Sequence, residues 1–520
     1  MALEIHDVLI IGAGPAGLAV AARLREPTPS AIFTDAEHNR YHWIKKYEGR
    51  MTIQRQGKHS QWHKPFINDP PSSRNDGHDI KVLDSSGSAW LSSWKKNFAA
   101  LDISHLRSPM FFHPCPGDRD GLLAFAHETG RSDQCIEIAN CVGKSMSKHR
   151  RKKKIAKGGT VGSAEKAVLE IDERDRKDYF TPSANIFHDY CDAVVHRYSL
   201  DHLVEEMQVA SIAFDFPDAF DVCGHGKPNE KLFKVTGTDG AAILARIVVL
   251  AVGAGGIPSM PYQLSIIERE GASHSTQLAK QPFLTENMKQ RIRSRMSTAV
   301  VVVGGGLTAA QIADKCIASG VNRVLMVMRS GLKQRLDMLL KARNGGSITP
   351  RFFKRLQEHV ARGALSIHTQ TTIKKQYWDP GRKVWEIETD PSVTDLARPV
   401  DYIYYATGIK PDIERLPFLS PLRENFPIDV KGGMPCLTED LAWAEDVPLF
   451  VTGRLAGLRI GPDCGNLEGA RVGAERISWA VEEIMERRKD SVSSNRFADN
   501  NALMQRVGSV NIYDSLDIDS

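Results

Sequence analysis

The sequence predicts an α/β protein with two Rossmann-like dinucleotide-binding domains, the first of which is discontinuous. Two apolar segments, residues 7–17 and 298–313, each run from a buried strand through a glycine-rich turn into a helix. This strand–turn–helix pattern is typical of a dinucleotide-binding unit. Two later strands that end in glycine turns, at 401–412 and 447–453, are predicted to return the chain to the first domain.

The length and composition exclude several classes of protein. The 520 residues suffice for about three domain-sized units. A hydrophobic content of 42% and a net charge of +5 fit a globular protein and argue against a nucleic-acid partner. No apolar run reaches the roughly 18 to 20 residues of a membrane crossing, and Glu4 and Asp7 stand where a secretory signal is positive. We therefore expect a cytoplasmic protein without membrane insertion.

The cysteines argue against a disulfide framework and a metal site. The chain has 8 cysteines and no CxxC pair. This usage is typical of reduced thiols, since zinc sites and redox-active disulfides favour closely spaced pairs. No metal is predicted.

The first glycine turn has the spacing GxGxxG. In such a turn the first glycine makes the bend, the second admits a pyrophosphate, and the third lets helix and strand pack closely. The helix that follows, predicted at 18–25, would direct free amides at the phosphates. An apolar strand at 31–34 then leads to Asp35, where a carboxylate can bind a ribose diol. The cofactor residues assigned here are Gly12, Gly14, Pro15, Ala16, Gly17 and Asp35.

The second glycine turn has the related spacing GxGxxA, which ends at Ala309. Its second strand, at 323–328, leads to Arg329 instead of an acid. Arginine suits the 2′-phosphate of NADPH through charge-assisted hydrogen bonds, whereas an acid suits the free ribose of NADH. A solvated surface arginine is the alternative. The residues assigned to this second site are Gly304, Gly306, Thr308 and Arg329.

An acid after the first unit and a base after the second are the pattern of an FAD site followed by a pyridine-nucleotide site. We therefore predict FAD and NADPH as cofactors. The predicted divisions are the first part of the FAD domain at 1–260 with a basic insertion near 143–165, the NADPH domain at 261–397, the second part of the FAD domain at 398–485, and a flexible tail at 486–520. The run KHRRKKK at 148–154 has the composition of a nuclear localisation signal, although a solvated loop is the favoured interpretation.

The order of these motifs resembles the single-component flavin-dependent monooxygenases, and within them the lysine/ornithine N-hydroxylating branch. The resemblance rests on GAGPAG, the pair His274 and Ser275, GGGLTA and DYIYYATG, and it extends over roughly residues 5 to 480. The sequence also resembles the oxidative-stress growth-inhibitor flavoproteins, which share this architecture.

The resemblance implies further site residues. His274 would lie at the nicotinamide-side hinge, with a structural turn cap as the alternative, and Asn466 would lie near the isoalloxazine. Asp401 is interpreted as a strand-end anchor. The remaining residues implied to contact cofactor are Trp43, Met51, Gln54, Thr407, Gly408, Gly453 and Leu467.

The predicted function is an FAD- and NADPH-dependent monooxygenase. It would insert one oxygen atom from O2 into a small molecule, with N-hydroxylation of an amine or amino acid as the favoured reaction. An NADPH-dependent flavin reductase or oxidase and a non-catalytic redox-sensing flavoprotein are the alternatives. The sequence leaves open both the substrate and whether the chain forms a homo-oligomer.

Overall fold

The computed structural model describes residues 4–26, 77–138, 173–220, 230–255, 258–330 and 348–490. The strands are β1 (Ile5–Ile11), β2 (Ile80–Asp84), β3 (Ile136–Glu137), β4 (Phe180–Thr181), β5 (Val204–Glu206), β6 (Val209–Asp215), β7 (Leu232–Gly237), β8 (Ala242–Leu250), β9 (Ala272–His274), β10 (Ala299–Val303), β11 (Arg323–Val327), β12 (Leu365–His368), β13 (Thr372–Asp379), β14 (Val384–Asp390), β15 (Tyr402–Tyr405), β16 (Val430–Lys431), β17 (Met434–Pro435), β18 (Ala442–Ala444) and β19 (Val447–Val451). The α-helices are α1 (Pro15–Arg23), α2 (Ser92–Ala100), α3 (Gly121–Glu128), α4 (Ala184–Arg197), α5 (Glu286–Arg293), α6 (Leu307–Ala318), α7 (Pro350–Ala361), α8 (Ser420–Asn425), α9 (Gly457–Ile460) and α10 (Leu467–Asp490).

The first sheet has the strand order β18-β19-β8-β1-β2-β5, and the β6–β7 hairpin joins it along β8. Its centre is parallel, because β1 pairs in parallel with β2 and β8, and β8 with β19. The segments Val8 to Ile11 of β1 and Ile247 to Leu250 of β8 are buried and wholly apolar, as expected where both faces of a parallel sheet are covered. Since β19 follows the second domain in the chain, the first domain is discontinuous, as predicted.

The second sheet is parallel throughout, with the order β12-β11-β10-β15-β9. Helices α6 and α7 contribute to the apolar cluster on one face, and the antiparallel β13–β14 hairpin contributes Trp378 and Trp385 to the cluster on the other. This β–α–β arrangement confirms the second Rossmann-like domain.

The prediction that segment 401–412 belongs to the returning part of the first domain is wrong. Strand β15 pairs with β10 in the second sheet, so the predicted boundary at 397 precedes a central strand of that sheet. A strand that ends in a glycine turn has the same sequence pattern in either sheet. Buried Asp401 helps to hold β15 in the second sheet. Its Oδ2 accepts a hydrogen bond from the Ala299 amide at 2.7 Å, and its Oδ1 pairs with Arg291.

Some of the predicted segments cannot be compared with the structure. Residues 31–35, the basic run at 148–154 and the tail beyond 490 lie outside the described residues. Within the described ranges, no helix combines the length and the apolar character needed to cross a membrane.

A buried ion pair joins the helices from the two ends of the chain. Arg23 on α1 donates from Nε to Glu475 on α10 at 2.5 Å and from Nη2 to its second oxygen at 2.9 Å. Each side chain is only 6% exposed. This bidentate geometry satisfies both carboxylate oxygens and fixes the two helices against each other.

Removing one member of this pair should be far more damaging than removing both. Arg23→Met should lower the free energy of unfolding by about 3 to 5 kcal/mol, because Glu475 is left buried without its partner. The double variant Arg23→Met/Glu475→Met should recover most of that loss. Urea denaturation followed by circular dichroism measures both. A single-variant loss under about 1 kcal/mol, the usual value of an exposed pair, would contradict this assignment.

Candidate functional site

The turn between β1 and α1 is built on a close approach of backbones. Gly12 has a φ of +112°, and a Cβ there would lie 2.5 Å from the Ala251 carbonyl oxygen. A Cβ at Gly17 would overlap the carbonyl oxygen of Gly12. At Gly14, by contrast, a Cβ would meet no atom within 4 Å. The turn therefore leaves open space where a phosphate group would approach the start of α1, which begins with Pro15.

The turn between β10 and α6 repeats this construction. Gly304 has a φ of +146°, and a Cβ there would clash with the Ala406 carbonyl, the counterpart of Ala251. The amide of Gly304 donates to the carbonyl of Val327 at 2.9 Å, just as Gly12 donates across its sheet. Gly306 forms the extended N-cap of α6, and partly buried Thr308 lies in the first turn of that helix.

An acidic residue missed in the sequence lies beside the first turn. Asp84 ends β2, where its Oδ2 accepts from the Ala13 amide and its Oδ1 from the Ser86 amide, each at 2.7 Å. In the β1–α1–β2 unit this is the position that was predicted for Asp35, which lies outside the described residues. A short signal was present, since Ile80, Val82 and Leu83 precede the acid. The long segment between α1 and β2, residues 24–79, placed it far from the first turn in the sequence.

Arg329 lies at the corresponding edge of the second sheet. Val327 takes the place of Leu83, because each accepts a hydrogen bond from the first glycine of its turn. Met328 then takes the place of Asp84, and exposed Arg329 follows by one residue. The second unit thus has no acid at this position and carries a base directly beyond it.

The residues predicted to line the flavin, Trp43, Met51 and Gln54, lie outside the described residues. The loop after β2 is a further described segment that contacts the first turn. Fully buried Leu91 adopts a φ of +60° and donates its amide to the Ala13 carbonyl at 2.8 Å. A left-handed leucine leaves no signal in a sequence pattern, so this contact could not be predicted.

Several predicted residues meet at the carboxyl edge of the second sheet. His274 ends β9 opposite Tyr405. Thr407 donates its hydroxyl hydrogen to the Ser259 carbonyl, and Gly408 accepts from the Ser259 amide at 2.9 Å. These two contacts join the segments that link the two sheets.

His274 caps a turn, which is the structural alternative considered for it. Its Nδ1 accepts from the Thr276 amide at 3.2 Å, and its own amide donates to Gln277 at 3.1 Å. Burial lowers the pKa of His274, and the Gly408 carbonyl opposes that shift only in part. The imidazole is therefore neutral at neutral pH and is engaged through Nδ1.

Asn466 caps α10 at the carboxyl edge of the first sheet. Its Oδ1 accepts from the Gly469 amide at 3.0 Å, and its Nδ2 donates to Asp463 at 2.7 Å. Buried Leu467 begins the helix, and Gly453 follows β19 with a φ of +77°. Asn466 therefore fixes the direction of α10, whose amino-terminal end carries the positive end of the helix dipole.

The family described as L-lysine 6-monooxygenase/L-ornithine 5-monooxygenase matches residues 176–342 of this chain. The match confirms the resemblance to the lysine/ornithine N-hydroxylating branch of flavin-dependent monooxygenases. No curated protein matches the chain in sequence.

Solved structures of such enzymes share the fold. The ornithine N-hydroxylase from Kutzneria sp. 744 has a TM-score of 0.57 at 15% identity, over 93% of this chain and 100% of that one. The ornithine hydroxylase from Pseudomonas aeruginosa has a TM-score of 0.55 at 15% identity, over 92% and 99%. The L-lysine 6-monooxygenase from Pseudomonas syringae has a TM-score of 0.51 at 16% identity, over 92% and 99%. At these identities the likeness establishes the two-domain dinucleotide-binding fold.

A buried polar cluster lies beside α10. His113 is fully buried, and its Nε2 lies 2.9 Å from the carbonyl oxygen of Arg119. Its ring packs edge-on against Tyr190 with a centroid separation of 5.2 Å. Burial, followed by the charge of Arg471, lowers the pKa of His113 to about 3. The folded protein therefore keeps this imidazole neutral.

The His113 imidazole should make the fold sensitive to acid. Because the unfolded state takes up a proton near pH 6.5 and the folded state does not, stability falls by about 1.4 kcal/mol per pH unit below that value. His113→Gln removes the titrating group and keeps a donor for the Arg119 carbonyl. Between pH 7.5 and 5.5, urea denaturation should show a loss about 1.4 kcal/mol larger for the natural protein than for the variant. Equal losses would rule this account out.

Proposed function

We propose that this chain is an FAD- and NADPH-dependent monooxygenase that transfers one oxygen atom from O2 to a nitrogen of an amine or amino acid. The observation that supports it most is the pair of glycine turns with one construction, each at the carboxyl edge of its own parallel sheet. Such edges are where open α/β sheets bind dinucleotides. The family match over 176–342 supports the class of reaction.

The first turn fits the pyrophosphate of FAD. The space at Gly14 is what a Cβ would fill, and the first amides of α1 lie next to it. Asp84 would accept hydrogen bonds from the ribose diol, because its carboxylate is already held against the turn by the Ala13 amide. In this proposal these residues bind the cofactor and transfer no protons.

The second turn fits NADPH. The amides at the start of α6 would hold the pyrophosphate, with Thr308 in that first turn, and Arg329 would pair with the 2′-phosphate. Bound FAD supplies the redox chemistry, accepting a hydride and activating O2. The chain's own contribution is to hold both nucleotides, to keep water away, and to direct α10 at the flavin through the Asn466 cap.

The purified protein should be yellow, and NADPH should bleach its flavin in the absence of oxygen. With ornithine, lysine and a panel of primary amines in air, mass spectrometry should detect a product heavier by one oxygen atom. Oxidation of NADPH with stoichiometric hydrogen peroxide and no such product would favour an oxidase or reductase. Protein without bound FAD would contradict the proposal. Gly14→Ala tests the turn: it should fold, because a Cβ there meets no atom within 4 Å, and should bind FAD more weakly, because the Cβ fills the space for the pyrophosphate.

Arg329→Ala should weaken NADPH selectively. Losing a charge-assisted phosphate pair of about 1 to 3 kcal/mol should raise the KM for NADPH roughly 5- to 150-fold while the KM for NADH stays unchanged. Anaerobic stopped-flow reduction of the flavin at varied nucleotide concentration measures both. Arg362→Ala, on an exposed residue of the same domain, is the control for loss of surface charge. Equal changes in the KM for NADPH and the KM for NADH would show that Arg329 does not bind the 2′-phosphate.

A further inference from the structure

Two helices of different domains each begin at one of the glycine turns. Helix α6 starts directly after the second turn, with Gly306 as its N-cap, and Lys315 lies in its last turn. Helix α2 starts after Leu91, whose amide donates to the Ala13 carbonyl in the first turn at 2.8 Å. Each helix therefore leads away from one of the two proposed nucleotide sites.

Helix α2 is held within the first domain by aromatic packing. Trp94 and Phe98 stack on each other with their ring centroids 5.1 Å apart. Trp94 packs against Phe187 of α4 at 5.6 Å, and Phe98 against His188 at 5.4 Å. The nine residues of α2 span about 13 Å. The helix thus connects the first glycine turn to its own carboxyl-terminal end as one fixed element.

That end of α2 contacts the second domain through apolar packing and an ion pair. Ala100 and Leu101 pack against the apolar cluster to which α6 contributes. Asp102 follows with a φ of +49°, a left-handed conformation that aspartate tolerates. Its Oδ2 lies 2.7 Å from Lys315 Nζ, and that ammonium also lies 5.0 Å from the centroid of the Phe283 ring. The far ends of α2 and α6 are therefore joined.

A second polar contact between the domains lies three residues further along the chain. Arg351 on α7 donates from Nη1 to His105 Nδ1 at 3.3 Å. The Nε2 of His105 lies 3.1 Å from the Gln134 carbonyl oxygen and donates to it, so the imidazole is the neutral tautomer that can accept from arginine. One segment of the first domain, residues 100–105, thus contacts both α6 and α7.

We propose that residues 100–105, with Lys315 and Arg351, form an interdomain clamp that sets the separation of the two glycine turns, and that Asp102 and Lys315 are positioning residues for hydride transfer from NADPH to the flavin. The inference rests on the proposed function, because it requires FAD in the first domain and NADPH in the second.

Hydride transfer depends strongly on the separation of the two nucleotides. NADPH gives up a hydride, which is two electrons and one hydrogen nucleus, to the flavin and becomes NADP+. The reacting atoms must approach to about 3 to 3.5 Å, and a displacement of about 1 Å can cost a factor of about 100 in rate. The interdomain clamp joins two helices that start at the two turns, so it controls this separation without contacting either nucleotide.

The test is anaerobic stopped-flow reduction of the FAD-loaded protein at varied NADPH concentration, which separates the limiting rate of reduction from the Kd for NADPH. Lys315→Glu places a carboxylate opposite Asp102, where like charges repel. The limiting rate should fall by about threefold or more, because the turns lose their natural separation. The Kd should stay unchanged, because Lys315 lies at the opposite end of α6 from the second turn.

Two further variants test the charge pair itself. Asp102→Asn in the Lys315→Glu protein removes the repulsion and keeps a residue that tolerates the left-handed conformation, so it should recover about half or more of the lost rate. Lys289→Glu is the matched control, because Lys289 pairs at 2.6 Å with Glu286 inside the second domain. Its limiting rate should equal that of the natural protein.

An unchanged limiting rate in Lys315→Glu, or an equal fall in Lys289→Glu, would overturn the inference. A higher Kd at an unchanged limiting rate would also overturn it, since Lys315 would then act on nucleotide binding. If Lys315→Glu does not fold, Leu101→Lys, which puts a charge into the apolar part of the interdomain clamp, takes its place with the same expected rate and Kd. Natural protein whose flavin is not reduced by NADPH would defeat the proposed function instead, so the two failures are distinguishable.

Discussion

The contact of two backbones at the first glycine turn is the constraint on which the rest of the first domain depends. Because a Cβ at Gly17 would overlap the carbonyl of Gly12, α1 lies directly on the end of β1. On α1, Arg23 pairs with Glu475 and so holds α10 against the same helix. The same turn lies against β8, since Gly12 approaches the Ala251 carbonyl at the end of that strand. Gly14, between these two close contacts, faces open space.

The second sheet repeats the constraint with different residues. Gly304 sits against the Ala406 carbonyl as Gly12 sits against Ala251. In both sheets, therefore, the glycine turn that leads from the central strand into its helix lies against the end of a neighbouring strand. The two edges differ in charge rather than in shape: a carboxylate, Asp84, ends the strand in the first unit, and a guanidinium, Arg329, follows it in the second. Distinct nucleotides can thus be recognised by one kind of turn.

The sequence was sufficient for the two turns, the parallel sheets and the discontinuous first domain, because glycine spacing and buried apolar strands are local properties. It was insufficient wherever the answer depended on which strand pairs with which. The spacing after the first turn predicted Asp35 as the acid, which stays a prediction, whereas Asp84 at the end of β2 was missed because β2 lies much further along the chain. Segment 401–412 was placed in the wrong sheet, because its pairing with β10 and β9 depends on residues far away in the chain. Asn466 stays a predicted neighbour of the flavin, and its capping hydrogen bonds could not be predicted from the sequence.

Helix α10 joins the two ends of the chain and is capped by Asn466 at its start. Its Glu475 is fully paired with Arg23, so this charge contributes to the packing of α10 on α1. Arg471, one turn nearer the amino-terminal end, has two buried nitrogens without a partner among the described residues. Two charges on one face of the same helix therefore differ in their surroundings: Glu475 is neutralised by Arg23, whereas burial disfavours the charge of Arg471 and Glu468, one turn earlier, opposes that effect. The paired charge holds α10 on α1, and the helix carries the second charge into the interior at that fixed position.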